Sequence, residues 1–106
     1  YTTLFRSEPT IGITCYTVTE EMMEAYGMPA GVCVKSVQEG SDAKTQGVFP
    51  GDVIVEANGQ AITTIEELLA LKESLSAGDV ISFRLWRSSA YLEREVTLME
   101  QYVPQS

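Results

Sequence analysis

The residues able to carry chemistry in this chain are few, and their spacing narrows what they could do. There is no histidine, so neither a Ser-His-Asp nor a Cys-His arrangement can be assembled from it. Cys15 and Cys33 lie in apolar, strand-like runs with no CxxC spacing and no adjacent basic residue. A thiolate nucleophile needs a base or a positive charge close by, so both are expected to be buried, inert thiols, with no metal bound. The carboxylate pairs Glu20-Glu21 and Glu66-Glu67 could serve acid-base chemistry. Neighbours on a helix diverge in direction, however, and both pairs stand where a first helical turn favours negative charge. Helix-end electrostatics accounts for them. One short stretch raises a sharper question: Glu8-Pro9-Thr10-Ile11-Gly12-Ile13 places a glycine between two isoleucines just ahead of a strand-like run. A glycine there marks a bulge, or a place where a ligand or another backbone comes close.

The elements that must position these residues fit within one domain, since 106 residues hold a single core and at most two or three layers. An apolar fraction of 44% and a charged fraction of 21% are ordinary for a globular protein, and no apolar run is long enough to span a bilayer. Seven Lys and Arg against fifteen Asp and Glu give a formal charge of −8, which repels phosphate backbones and argues against nucleic acid as a partner. The sequence opens without a Met or a leader pattern and is expected to be a segment of something longer.

Residues 1–9 lack a clear period and read as a lead-in, with a short strand over Thr3 to Phe5. Ile11 to Val18 is rich in β-branched and aromatic residues, as a strand should be. Thr19 then caps a helix of about two turns that stops at Gly27, with Met22 or Met23 and Tyr26 placed to cover an edge. Residues 31–37 form a second strand, Ser41 caps one or two helical turns ending at Gly47, and residues 52–57 form a third strand bounded by the Asn58-Gly59 turn signal. After that turn Ala61-Ile62 can pair briefly. Thr64-Ile65-Glu66-Glu67 is a capping box that opens the principal helix, expected to run to Gly78. Leu68, Leu71 and Leu75 form one stripe of it for the core, and Ile65, Leu69 and Lys72 a neighbouring one. Residues 80–87 and 91–98 close the domain as a hairpin. The expected architecture is α+β: about five strands in mostly antiparallel pairing, partly closed and capped by the long helix. The strand at 11–18 must be either paired on both sides or an edge.

The run Gly47-Val48-Phe49-Pro50-Gly51-Asp52-Val53-Ile54-Val55-Glu56-Ala57-Asn58-Gly59, followed by the capped helix, resembles a PDZ domain. Upstream, residues 26–47 (YGMPAGVCVKSVQEGSDAKTQG) are similar to the bacterial, circularly permuted version found in HtrA/Deg-type serine proteases, with the ligand-binding strand first and the final hairpin last. The resemblance covers about residues 8–99 and implies a division into lead-in 1–9, PDZ domain 10–100 and tail 101–106. It further implies a non-catalytic module that captures apolar C-termini or exposed strands of unfolded proteins by strand addition, next to a protease domain in cis, outside the cytoplasm, in a membrane-anchored or secreted parent that forms homo-oligomers. No cofactor is implied. The loop Thr10, Ile11, Gly12 and Ile13 would receive the peptide carboxylate on backbone amides, Thr14, Cys15 and Tyr16 would pair with the peptide, and Ile65, Leu69 and Lys72 would line the helix side. Ile65 and Leu69 are expected opposite Ile11 and Ile13, with Lys72 further along. Strand alternation leaves open whether Ile13 and Cys15 or Thr14 and Tyr16 face the helix. Glu8 and Thr10 stand where the family often carries a basic and an aromatic residue, which makes internal apolar segments credible ligands beside free C-termini. Two other readings fit the same residues: an assembly or regulatory module with little peptide binding, and a PDZ domain from a tail-specific or intramembrane protease.

Overall fold

The structure, a computed structural model, describes residues 5–104; Thr3 and Leu4 of the expected first strand lie outside the described residues. The elements in chain order are β1 (Phe5–Thr10), β2 (Ile13–Thr17), α1 (Glu20–Tyr26), β3 (Val32–Val37), α2 (Asp42–Thr45), β4 (Val53–Ala57), β5 (Gln60–Ala61), α3 (Ile65–Glu73), β6 (Val80–Arg87), β7 (Ala90–Thr97) and β8 (Met99–Pro104). One antiparallel sheet runs β2-β3-β4-β6-β7, with β5 paired to β4. It is an open sheet of six strands and does not close into a barrel.

Local chemistry explains most boundaries. The Thr19 hydroxyl accepts the Met22 N–H at the start of α1, and Gly27 closes that helix in the left-handed region, where glycine carries no Cβ penalty. Asn58 and Gly59 both take positive φ between β4 and β5, the twist that a two-residue hairpin requires. Ser88 and Ser89 do the same between β6 and β7, so the expected three-residue turn there is a two-residue one. At α3 the Thr64 hydroxyl accepts the Glu67 N–H while the Glu67 carboxylate accepts from the Thr64 N–H: the capping box is formed. The helix stops at Glu73, five residues short of the Gly78 end read from the sequence. Its last turn tightens, with Ser74 N–H bonded to Leu71 C=O and Leu75 N–H to Lys72 C=O. The Ser74 hydroxyl also donates to the Leu71 carbonyl at 2.6 Å, and serines that bond the local backbone compete in this way with helix continuation.

The principal core lies between the sheet and α2 and α3. Ile81, Phe83 and Leu85 enter it from β6, Val96 from β7, and Leu68 from α3, with Leu71 and Leu75 packed against it. A smaller cluster on the opposite face gathers Val18, Cys33 and Val53 under Met22, Met23 and Met28. Tyr26, expected to help cover an edge, is instead 72% exposed. The lead-in and the tail form an element of their own: β1 pairs antiparallel with β8 from Phe5↔Pro104 to Thr10↔Met99. This ladder delivers the chain to β2, and β2 lies at the edge of the main sheet.

Candidate functional site

Gly12 sits between β1 and β2 at φ +82°. A Cβ built there would lie 2.7 Å from Ser41 Cβ and 3.1 Å from Met99 Cε, so both the backbone conformation and the close approach require glycine. Its carbonyl accepts the Gln38 N–H at 2.7 Å. The Gln38 carbonyl in turn accepts the buried Ser41 hydroxyl at 2.7 Å, and Ser41 Oγ caps α2 by accepting the Lys44 N–H. The loop is thereby held against the start of α2. The Gly12 N–H points back to Thr10 Oγ1 at 3.3 Å. Ile11 beside it is buried in the core; it supports the loop from beneath. An open hollow of about 310 Å³ adjoins the loop, lined by Thr10, Gly12, Ile13, Thr14, Ser36 and Gln38.

Among the described residues the strand that follows pairs with β3 on one side only, which leaves a row of backbone donors and acceptors at the sheet edge. Ile13 and Cys15 are half-buried against the principal core, while Thr14 and Tyr16 face out. The alternation left open by the sequence is thus decided in favour of Ile13 and Cys15 on the α3 side. The main chain of α3 is tied to this strand at one point, where the Ile65 N–H donates to Thr17 Oγ1 at 2.9 Å. This bond satisfies one of the helix's orphan N-terminal donors.

That anchor sets the order of residues along the groove. Ile65 stands at the Thr17 end. A helix rises about 1.5 Å per residue and an antiparallel strand about 3.4 Å, so Lys72, seven residues on, comes abreast of Thr14 and Cys15. The contacts agree, since α3 touches β1, which ends at the Gly12 loop, as well as β2; burial and then Cys33 push the Cys15 thiol pKa up, while the Lys72 ammonium pulls it down. Helix and strand therefore run antiparallel, with Ile65 far from Gly12, Leu69 midway and Lys72 towards the loop. The expected order, with Ile65 opposite Ile11 and Ile13, is reversed, because the Thr17 anchor joins residues 48 apart in sequence. Ile65 is half-buried against the core, and Leu69 is 43% exposed. The two cysteines lie on opposite faces of the sheet, in separate apolar clusters, and both are free thiols. Cys33 is buried as expected, whereas Cys15 lies half-open in the groove wall.

Thr17, Gln38 and Ser41 escaped the sequence reading as site residues. Ser41 was legible only as a helix cap, and nothing local marks Thr17 as the partner of a distant helix.

A family model described as the PDZ domain matches residues 9–98. The chain belongs to the PDZ domain family. Curated relatives of this PDZ domain include a probable periplasmic serine endoprotease DegP-like from Pseudomonas fluorescens, 34% identical over 82 residues. A protein of the same description from Chlamydia trachomatis is 33% identical over 90 residues. These alignments cover 77% and 74% of this chain but only 17% and 18% of the relatives, so the PDZ domain spans about a sixth of their length. Among solved structures, the HtrA3 PDZ domain bound to a phage-derived ligand (FGRWV) superposes with a TM-score of 0.80 at 21% identity, covering 92% of this chain and 91% of that one. The HtrA-type protease AlgW with decapeptide gives 0.79 at 22% identity, covering 90% of this chain and 30% of that one. At these identities the structural likeness establishes the fold.

Proposed function

We propose that this PDZ domain captures peptides by strand addition along the free edge of β2, between that edge and α3. The observation that carries this reading is the combination of a strand edge unpaired among the described residues with apolar side chains beside it, Ile13, Cys15, Ile65 and Leu69, of which Leu69 is 43% exposed. Main-chain pairing supplies affinity and the apolar row supplies selectivity. The Gly12 loop closes one end of the groove, where converging backbone amides suit a terminal carboxylate. In this reading Thr14, Cys15 and Tyr16 present the pairing backbone, and Leu69 contacts the last apolar side chain of the ligand. Ile65 contacts residues further from its end. Affinity falls at roughly micromolar to tens of micromolar, because a short peptide must be ordered on binding.

The periplasmic serine endoproteases among the relatives support a parent of the HtrA/Deg kind, acting outside the cytoplasm. In such a parent this module holds substrate C-termini or unfolded segments for a protease domain in cis and biases that domain when occupied. Anchoring to a membrane and homo-oligomeric assembly belong to the same proposal. The test is an NMR titration with the pentapeptide Ala-Ala-Ala-Ala-Val. Shifts concentrated at residues 12–17 and 65–72 are expected. Unchanged spectra at millimolar peptide, or shifts confined to other faces, would overturn the assignment.

A further inference from the structure

A terminal carboxylate arriving at the Gly12 loop meets two obstacles. The chain carries a formal charge of −8, so the general field opposes it. One of the amides that would receive it is already engaged, since the Gly12 N–H donates to Thr10 Oγ1 at 3.3 Å. The loop therefore offers fewer free donors than its backbone shape suggests, and a local positive charge would strengthen its hold on a carboxylate.

Several described cations are committed elsewhere, Arg94 among them by its bond to the Glu93 carbonyl. Arg87 holds Asp52, Arg84 lies at 3.8 Å from Glu56, and Lys44 pairs with Glu39. Lys35 is exposed on β3, one strand in from the edge. The basic residue of α3 is Lys72, half-buried and on the same helical stripe as Ile65 and Leu69. α3 starts at Thr17, where the Ile65 N–H is bonded, and also contacts β1, the strand that ends at the Gly12 loop; this course carries Lys72 towards the loop end. The flexible four-carbon stem of a lysine can carry the ammonium past Cys15 to the mouth of the loop.

We infer that the Lys72 ammonium is the counter-charge for the C-terminal carboxylate of a captured peptide, so that selectivity for free C-termini resides in α3 as well as in the Gly12 loop. The inference rests on the peptide-capture reading above and assigns a specificity-determining role within it. An ammonium is a compact charge with rotatable donors, suited to following a carboxylate as the peptide end settles. Such a pair, partly exposed, weakens with added salt.

The experiment is a calorimetric titration of the unmodified domain, Lys72→Gln and Lys72→Arg, each with Ala-Ala-Ala-Ala-Val as the free acid and as the C-terminal amide. Lys72→Gln should lower affinity for the free acid by about threefold to tenfold, change affinity for the amide by less than about twofold, and flatten the salt dependence of free-acid binding. Lys72→Arg should keep the preference for the free acid. All three are good helix residues, and matching thermal melts confirm that the fold is unaltered. If the unmodified domain binds both peptides and Lys72→Gln leaves their ratio unchanged, the inference fails while peptide capture stands. If the unmodified domain binds neither, both fail together.

Discussion

Asp52 and Arg87 make an asymmetric pair, and the asymmetry yields a prediction that can be worked from the geometry. The Arg87 guanidinium donates to the Asp52 carboxylate at 2.7 and 2.6 Å and to the Gly47 carbonyl at 2.7 Å. It also stacks 4.8 Å from the Phe49 ring. Asp52 accepts one further bond, from the Phe49 N–H at 2.9 Å. Together these contacts close the turn between α2 and β4 onto the end of β6. The side chain of Asp52 is 2% exposed and that of Arg87 is 29% exposed. Removing the carboxylate frees a cation that can turn into solvent. Removing the cation strands a buried carboxylate with one backbone donor. Breaking a buried pair from the side that leaves a desolvated charge costs about 3–5 kcal/mol, whereas Asp52→Asn, which keeps an acceptor for Phe49 N–H, should cost about 1–3 kcal/mol. At roughly 4–8 °C per kcal/mol for a domain near this size, Arg87→Ala should lower Tm by at least about 12 °C. The double variant Asp52→Ala with Arg87→Ala should be more stable than Arg87→Ala alone, because the stranded charge is gone. Urea denaturation and thermal melts of the four proteins measure all of this. A smaller loss in Arg87→Ala than in Asp52→Asn, or a double variant less stable than both singles, would refute the reasoning.

Three further outcomes are expected. Gly12→Ala should destabilise the domain by about 1–3 kcal/mol in urea melts, because the new Cβ meets Ser41 at 2.7 Å in a left-handed conformation; a larger residue such as valine there would confound loss of binding with loss of fold. Leu69→Glu should leave stability within about 0.5 kcal/mol, as expected of an exposed site, while peptide titration shows weaker binding of apolar C-terminal residues. Asp42 accepts the Thr97 N–H, and that bond, followed by the one from Gln46, holds its pKa below the usual carboxylate range. A lowered folded pKa means that the stabilisation is complete above the unfolded value of about 3.9 and is lost as pH falls through the folded one. Asp42→Asn should therefore flatten the acid limb of a stability-pH profile below about pH 4.

What could be read ahead of the structure was whatever is encoded within a few residues. The alternation of Ile81, Phe83 and Leu85 fixed both the limits and the inner face of β6, and the Thr64-Glu67 box fixed the start of α3. The stop at Glu73 was missed because Gly78 is the louder signal, although the nearer Ser74 already turns the helix. Contacts between distant residues were out of reach. Arg87 and Asp52 are 35 apart and Thr17 and Ile65 are 48 apart, and β1 finds β8 across the length of the domain. This is why the stripe of Ile65, Leu69 and Lys72 was legible from helical spacing while its order along the strand was inverted. The Thr17 anchor at one end of α3 and its contacts with β1 together supply the direction of the helix.

The ladder of β1 and β8 has a mechanical consequence. Phe5 and Pro104 are partners at its outer end, and Thr10 and Met99 at its inner end. Tension applied between Phe5 and Pro104 therefore loads the hydrogen bonds one pair at a time, in the manner of a zip, instead of shearing them all at once. The last pairs to part are those beside the loop, where Met99 packs against Gly12. A pull on the two ends of this domain would thus be delivered, after four or five pairs have opened, to the residues that shape the mouth of the groove.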